Sequence, residues 1–366
     1  MPTSLRETMA NQDRATVVAR AQRAEFEAQQ LKRALRVSQS QLLRAEALRE
    51  TLFGLTHPAL DIPRWVASPK QPKDSAHLPV LVAGDFHWGE QISRARLGGV
   101  NAYNITIAKE RYRRLIERTI DISLTHLPKN RYTGIVYLRL GDMISGEIHE
   151  DQRETNEQHT VPAIRSLVEA ETWGIKALAE AFGRVHVVSV PGNHPRTTPR
   201  PQSKRGFDNF DILSAWWLES LFKINPRVTF YAPESGDAVF TIYGRRYLAT
   251  HGDKIGSRGG EGLVGPEATI VRGMKRVSDQ YARLRQPLSR IFVGHFHVRR
   301  EFGYGWSNGS LAGYSEYARD GRLTPEPPEQ WLILFHRKYG ATSRWPILLE
   351  SEPKASPTSR QFEAVR

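Results

Sequence analysis

The chain has 366 residues, 39% of them apolar, which suffices for one large domain or two smaller ones with a buried core. It contains no cysteine, which excludes disulfides and thiolate metal sites, so histidine, carboxylate or amide groups must hold any metal. The formal net charge of +13 favours polyanionic partners, with simple solubility as the alternative explanation. Because the sequence shows neither a signal-like apolar stretch nor a run of ~20 apolar residues, we expect a cytoplasmic protein without a membrane partner.

The first segment, residues 1–56, is predicted to be a long helical arm. From residue 12 onward the sequence has no proline or glycine until Gly54 and is rich in Ala, Leu, Arg, Glu and Gln, which are strong helix formers. Apolar residues recur at spacings of three and four, and Ser38 and Arg49 interrupt the pattern. Two interpretations stay open: a coiled coil that forms a homo-oligomer, and an amphipathic helix that lies on the globular domain.

The remaining chain divides into a proline-rich linker (57–78), a globular domain (79–350) and a polar, flexible tail (351–366). In the domain, apolar runs typical of strands alternate with helical patterns at residues 105–125 and 160–182. From residue 228 onward, strands dominate. This order predicts an α/β fold (α+β, four-layer) in which two mixed β-sheets lie face to face and helices flank them.

Five of the apolar runs are each followed by a short polar motif. The motifs are Gly84-Asp85-Phe86-His87, Gly141-Asp142, Gly192-Asn193-His194, His251-Gly252-Asp253 and Gly294-His295-Phe296-His297. Strand ends are where an α/β sheet builds its sites, and Asp, His and Asn are ligands that suit divalent first-row metals. Each motif alone is usually a turn or a helix cap, so the prediction of a metal site depends on the five occurring together.

This five-part pattern resembles the calcineurin-like metallophosphoesterase superfamily, whose motifs run Asp-x-His, Gly-Asp, Gly-Asn-His, His and Gly-His-x-His. The resemblance extends from about residue 79 to residue 300 and implies two divalent metal ions about 4 Å apart. Mn²⁺ is the predicted metal because the ligands mix oxygen and nitrogen, and Mg²⁺, Zn²⁺, Fe²⁺ and Ni²⁺ are alternatives. The ligands that the resemblance implies are Asp85, His87 and His297 at one ion, Asn193, His251 and His295 at the other, and Asp142 between both.

The resemblance also implies a phosphoric ester hydrolase in which Asp142 and His194 are the catalytic residues. The expected reaction is in-line attack on phosphorus by a hydroxide that bridges the metals, with His194 as the general acid for the departing oxygen. The sequence shows no Ser or Cys nucleophile motif, so no covalent phosphoenzyme is expected.

The second motif departs from the Gly-Asp-x-x-Asp-Arg-Gly of protein Ser/Thr phosphatases. Ser145 stands where their second Asp would orient the acid histidine, and Pro195 follows the third motif where Asp or Glu is usual. Both departures argue against a protein phosphatase and favour a phosphodiesterase or nuclease. They leave open what orients His194, for which Glu147 and His149 are candidates.

Two basic loops, which follow the third motif and His251, are expected to contact substrate phosphates. The candidate side chains are Arg196, Arg200, Lys204, Arg205 and Arg258. The alternative is that these loops are merely solvated. Trp88, Tyr304 and Trp306 are candidates for stacking on bases, with core packing as the alternative.

The predicted function is therefore hydrolysis of phosphodiester bonds, with nucleic acid as the first choice of substrate and a DNA-binding surface as its corollary. A phosphodiesterase or phosphomonoesterase of small nucleotides is an alternative, because the ligand set would serve all of them. A non-catalytic nucleic-acid-binding scaffold is an alternative of another class. The intact set of metal-ligand residues argues against the scaffold.

Overall fold

Two β-sheets form the centre of the part of the chain that the computed structural model describes, which comprises Gln29, Val66 and residues 77–127, 132–148, 150–201, 206–255 and 265–350. The chain divides into two units, Met1–Pro58 and Ala59–Arg366, and both sheets belong to the second unit. Apart from Gln29 and Val66, the predicted arm, the linker up to residue 76 and the tail lie outside the described residues.

The six-stranded sheet has the strand order β11-β10-β1-β2-β3-β4. Its strands are β1 (His77–Ala83), β2 (Ile135–Arg139), β3 (Val185–Ser189), β4 (Val228–Tyr231), β10 (Glu329–His336) and β11 (Gly340–Leu348). Strands β1 to β4 are parallel, whereas β10 runs antiparallel to both β1 and β11. Helices connect the parallel strands, as parallel pairing requires, so the carboxyl ends of β1, β2 and β3 meet at one edge.

The five-stranded sheet has the strand order β5-β6-β7-β9-β8. Its strands are β5 (Ala238–Ile242), β6 (Arg245–Thr250), β7 (Arg290–Val293), β8 (Arg300–Phe302) and β9 (Gly305–Ser307). Strands β6, β7 and β9 are parallel, while β5 and β8 are antiparallel to their neighbours. This sheet is mixed, like the first, as the sequence predicted.

The described helices lie between these strands in the sequence. They are α1 (Ile105–Asp121), α2 (Glu150–Thr155), α3 (Thr160–Phe182), α4 (Phe210–Leu221), α5 (Gly265–Arg283) and α6 (Glu316–Asp320). Helix α1 begins where the side chain of Asn104 accepts a hydrogen bond from Ile107 N, and it continues into a π-helical turn, Ile122–His126. Among the described residues, no helix is long and apolar enough to span a bilayer.

Side-chain alternation along the strands sorts the apolar residues into separate cores. In β1, Val80 and Val82 join a core shared with Phe240 and Phe292 of the second sheet, whereas Leu81 joins the core under α1, α3 and α4. A third core lies between β6, β7 and α5. The layers are therefore helix, sheet, sheet and helix, which confirms the predicted four-layer architecture with two face-to-face sheets.

Candidate metal centre

The polar motifs meet because each follows a strand that ends at the same edge of its sheet. Asp85, Asp142 and Asn193 come after β1, β2 and β3, which are adjacent and parallel. His251 and His295 come after β6 and β7, which are adjacent and parallel in the other sheet. Hydrogen bonds from backbone to side chain join the two edges, since His295 N donates to both carboxylate oxygens of Asp85 at 3.0 Å. The site is thus built across both sheets.

The backbone turns sharply at the predicted ligands. Eight non-glycine residues among those described have positive φ, and five of them belong to the motifs, with φ between 46° and 68°. These five are Asp85, His87, Asp142, His295 and His297. Left-handed backbone costs an L-residue on the order of 1–2 kcal/mol. Such strain persists where surrounding contacts enforce it and is frequent at functional sites.

One cluster consists of Asp85, His87 and His297, whose ligand atoms all lie within 4.8 Å of one another. The two Nε2 atoms of His87 and His297 are 3.1 Å apart, and Nε2 of His297 lies 3.4 Å from Oδ1 of Asp85. Asp85 and His87 are buried. Two imidazole nitrogens and a carboxylate oxygen that face one point form a donor set that fits a divalent cation.

The second cluster consists of Asp142, His251 and His295, to which Asn193 adds an amide oxygen. His251 Nδ1 lies 2.8 Å from the carbonyl of Leu140, an acceptor, so Nδ1 carries a proton. Its Nε2 then faces Oδ2 of Asp142 at 3.0 Å and Oδ1 of Asn193 at 2.9 Å. A neutral ring would present a lone pair to two oxygen acceptors here, so either a proton on Nε2 or a metal ion among the three atoms must compensate.

Asp142 lies between the two clusters. Its Oδ2 is 4.0 Å from Nε2 of His87 and 3.0 Å from Nε2 of His251, while Oδ1 accepts a hydrogen bond from His194 N at 2.8 Å. Its side chain is buried. The same carboxylate oxygen can therefore contact an ion in either cluster, which is the position that the sequence predicted for a bridging ligand.

Burial and neighbouring charges shift the pKa values of several side chains in the site. Burial would raise the pKa of Asp142, but the neighbouring His251 and His194 outweigh it and hold the pKa well below its usual value. Burial would lower the pKa of His251, yet Asp142 raises it to about 10. Burial, followed by the charge of His251, lowers the pKa of His295 to about 4. At neutral pH the ring of His295 is thus uncharged, which is the form that binds a metal.

A buried carboxylate that the sequence analysis missed supports the second cluster. Asp211, in the first turn of α4, accepts hydrogen bonds from Met143 N at 3.2 Å and from Gly192 N at 3.0 Å. Asn209, which caps α4, donates to the carbonyl of Gly192 at 2.9 Å. These bonds tie the second motif to the third. The only signal in the sequence is a capping Asn followed two residues later by Asp, which marks a helix start and no more.

His194 lies at the rim of the site, partly exposed. Its Nε2 is 4.0 Å from Oδ2 of Asp142, and its ring meets that of His87 edge to face at 4.7 Å between centroids. Its Nδ1 is hydrogen-bonded to the side-chain amide of Gln152 in α2. Of the residues expected to orient it, Glu147 accepts instead from Thr160 N and contacts His159, and His149 lies outside the described residues.

The structure describes two of the five candidate substrate-binding residues, Arg196 and Arg200. Arg196 is partly buried and donates to the carbonyl of Pro199 at 3.3 Å, so it contacts its own loop, while Arg200 is exposed. Lys204, Arg205 and Arg258 lie outside the described residues.

The aromatic side chains considered for base stacking pack mostly in the core. Trp88 and Trp306 are buried, and Tyr304 is half-buried against the third core, which lies between β6, β7 and α5. The indole of Trp88 also donates to Ser166 Oγ at 2.8 Å. Core packing is therefore the role of both tryptophans.

The chain is distantly similar to known proteins, and only through their solved structures. No protein-family model matches the chain, and no curated protein matches it. Nineteen chains of solved structures are similar to it. One is a dimetal phosphatase from Danio rerio, with 11% sequence identity, a TM-score of 0.31, and coverage of 75% of this chain and 99% of that chain.

Proposed function

We propose that the protein is a two-metal-dependent phosphoesterase that hydrolyses phosphodiester bonds, with nucleic acid as the substrate. The observation that supports this most is the carboxylate of Asp142, which lies between two clusters of His and Asp ligand atoms. One cluster would hold its ion through Asp85, His87 and His297, and the other through Asn193, His251 and His295. When bound there, divalent ions would supply an activated water and would neutralise charge on the phosphate oxygens.

The protein's own residues would bind and orient the reacting groups. The left-handed backbone at Asp85 and Asp142 directs both carboxylates inward from neighbouring strand ends. His194 stands at the rim, with Nε2 near Asp142 and its ring partly exposed, so it can reach the oxygen that leaves phosphorus and give it a proton.

The choice of nucleic acid over small nucleotides depends on charge. The net charge of +13 would attract a polyanion, and Arg200 is exposed on the loop that follows His194. Mn²⁺ remains the proposed metal, given the mixed oxygen and nitrogen ligands. A homo-oligomer formed through the N-terminal segment remains part of this proposal.

The test is a substrate panel with purified full-length protein and added Mn²⁺. The substrates are DNA, a cyclic nucleotide, bis-p-nitrophenyl phosphate and p-nitrophenyl phosphate. We expect the diesters to be hydrolysed in preference to the monoester, with DNA the best substrate. The Asp142→Asn and His194→Ala variants should lose most of the activity, His194→Ala by about 10²- to 10⁴-fold on DNA. Asp279→Asn and His126→Ala, which change exposed residues of the same types, are the controls.

Several outcomes would contradict parts of the proposal. A preference for the monoester would exclude the phosphodiesterase assignment. Preference for the cyclic nucleotide over DNA would move the substrate to small nucleotides. No hydrolysis of any ester, together with DNA binding, would favour the scaffold alternative.

A further inference from the structure

The side chain of Gln152 contacts the His194 ring at Nδ1, the ring nitrogen that does not face Asp142. The amide of Gln152 is hydrogen-bonded to Nδ1 of His194, whereas Nε2 of the same ring faces Oδ2 of Asp142 at 4.0 Å. Both side chains are partly buried. A hydrogen bond to one nitrogen fixes the direction in which the other nitrogen points. The contact with Gln152 therefore restrains the rotation of the ring that carries Nε2.

Helix α2 is itself fixed to the loop that follows Asp142. Asn156 Nδ2 donates to the carbonyl of Gly146 at 2.8 Å, and Ser145 Oγ donates to Asn156 Oδ1 at 3.0 Å. Arg153 Nε donates to the carbonyl of Glu147 at 2.9 Å. Asn156 N also bonds to the carbonyl of Gln152 at 3.0 Å. These four bonds hold the backbone of Gln152 at a set distance from the second motif.

We propose that Gln152 is a positioning residue that holds the imidazole of His194 for proton transfer through a hydrogen bond at Nδ1. The catalytic part of this inference depends on the proposed function. To give a proton from Nε2, the ring must carry protons on both nitrogens, so Nδ1–H needs an acceptor. Rotation of the amide group about its last torsion presents Oε1 of Gln152 to that proton, at the place where Nε2 of the amide otherwise lies. The amide accepts without carrying charge of its own.

The test compares three substitutions. Gln152→Met keeps the length of the side chain but removes both hydrogen-bonding groups, and Gln152→Glu keeps an acceptor. Gln280→Met, on an exposed position of α5, is the matched control. Each variant is assayed with Mn²⁺ on DNA, whose departing alkoxide needs a proton, and on bis-p-nitrophenyl phosphate, whose departing phenolate needs little help.

We expect Gln152→Met to lower kcat on DNA by roughly tenfold or more. General acid–base catalysis typically accelerates a reaction by about 10²- to 10⁴-fold, and a misplaced acid loses part of that acceleration. KM and metal content should stay unchanged, and the loss on bis-p-nitrophenyl phosphate should be much smaller. Gln152→Glu should recover most of the activity on DNA. Equal losses on both substrates, or no recovery with Gln152→Glu, would overturn the positioning role.

An NMR measurement that requires no catalytic activity separates this inference from the proposed function. In protein labelled with ¹⁵N-histidine and loaded with diamagnetic Zn²⁺, the ring signals of His194 are assigned by their loss in His194→Ala. Gln152→Met should shift these signals and Gln280→Met should not. If no ester is hydrolysed but the signals shift, the proposed function fails and the contact stands. If they do not shift, Gln152 does not position the ring.

Discussion

Nε2 of His251 lies 3.0 Å from Oδ2 of Asp142, and both side chains are buried. The other ring nitrogen donates to the carbonyl of Leu140 at 2.8 Å, so the orientation of the ring is fixed. Without a metal, a proton on Nε2 would join the two side chains. Because a metal ion would take the place of that proton, protonation and metal binding compete for the same atom.

We predict that metal binding releases protons at neutral pH. The folded-state pKa of His251 is about 10, against an ordinary value of 6.5. The protonated ring therefore stabilises the metal-free fold fully below pH 6.5, and this stabilisation is lost as the pH rises through 10. Between these values an ion that binds at His251 should displace about one proton, so its affinity should rise about tenfold per pH unit. Calorimetric titration in buffers of different ionisation enthalpy measures the number of protons.

A second buried histidine provides the control for this titration. Burial lowers the pKa of His186 to about 3, and its Nδ1 lies 2.9 Å from Oγ1 of Thr229 in the neighbouring strand. It is neutral at the pH of the titration, so His186→Asn should leave the proton count unchanged. Metal affinity that does not vary with pH, with no proton released, would contradict the arrangement at His251.

Gly192→Ala should disrupt the second cluster although it replaces none of the proposed ligands. A Cβ atom at this position would lie 2.1 Å from both the backbone N and Oδ1 of Asp142, so the loop or the carboxylate must move. We expect metal affinity to fall by about 10- to 100-fold, as for other residues that hold ligands in place. Gly303→Ala is the matched control, because a Cβ there would meet nothing within 4 Å. Isothermal titration with Mn²⁺ compares the two, and equal affinities would show that the carboxylate is not held as described.

Much of this site could be predicted from local sequence. The strands β2 and β3 are short apolar runs that end directly before the second and third motifs, and the predicted helix at residues 160–182 matches α3. Buried parallel strands consist of continuous apolar residues, which makes both the strand and its end visible in the sequence. The candidate ligands at those ends could therefore be named by number, and their metal binding stays a prediction.

Other elements could not be predicted, because their position depends on contacts between distant residues. The strand β11 lies at a sheet edge, and seven of its nine residues are half-exposed or exposed. The strand β8 has three residues, which is too short for a periodic pattern. Asp211 contacts the backbone beside the second motif and at the third from α4, which follows both, whereas Gln152 contacts the third motif from α2, which precedes it. Only the folded chain shows which polar side chain reaches which motif.

Glu171→Gln should strongly destabilise the fold at the six-stranded sheet, which carries the first three motifs. Arg139, the last residue of β2, and Glu171 of α3 form a fully buried pair with bonds of 2.8 and 2.9 Å. Removing one charge leaves the other buried without compensation, which costs about 3–5 kcal/mol of unfolding free energy. Urea denaturation measures this loss. Glu169→Gln, which breaks an exposed pair with Arg165 on the same helix, should leave the free energy nearly unchanged.

The metal content of the purified protein tests the central claim most directly. Full-length protein is equilibrated with excess Mn²⁺, freed of unbound metal and measured by inductively coupled plasma mass spectrometry. We predict about two ions per chain for the unmodified protein and for the control Asp279→Asn, because Oδ2 of Asp142 lies between two groups of ligand atoms, 4.0 Å from Nε2 of His87 and 3.0 Å from Nε2 of His251. Asp142→Asn should hold one ion or none. Fewer than two ions in the unmodified protein, or two ions retained by Asp142→Asn, would contradict a two-metal centre bridged by Asp142.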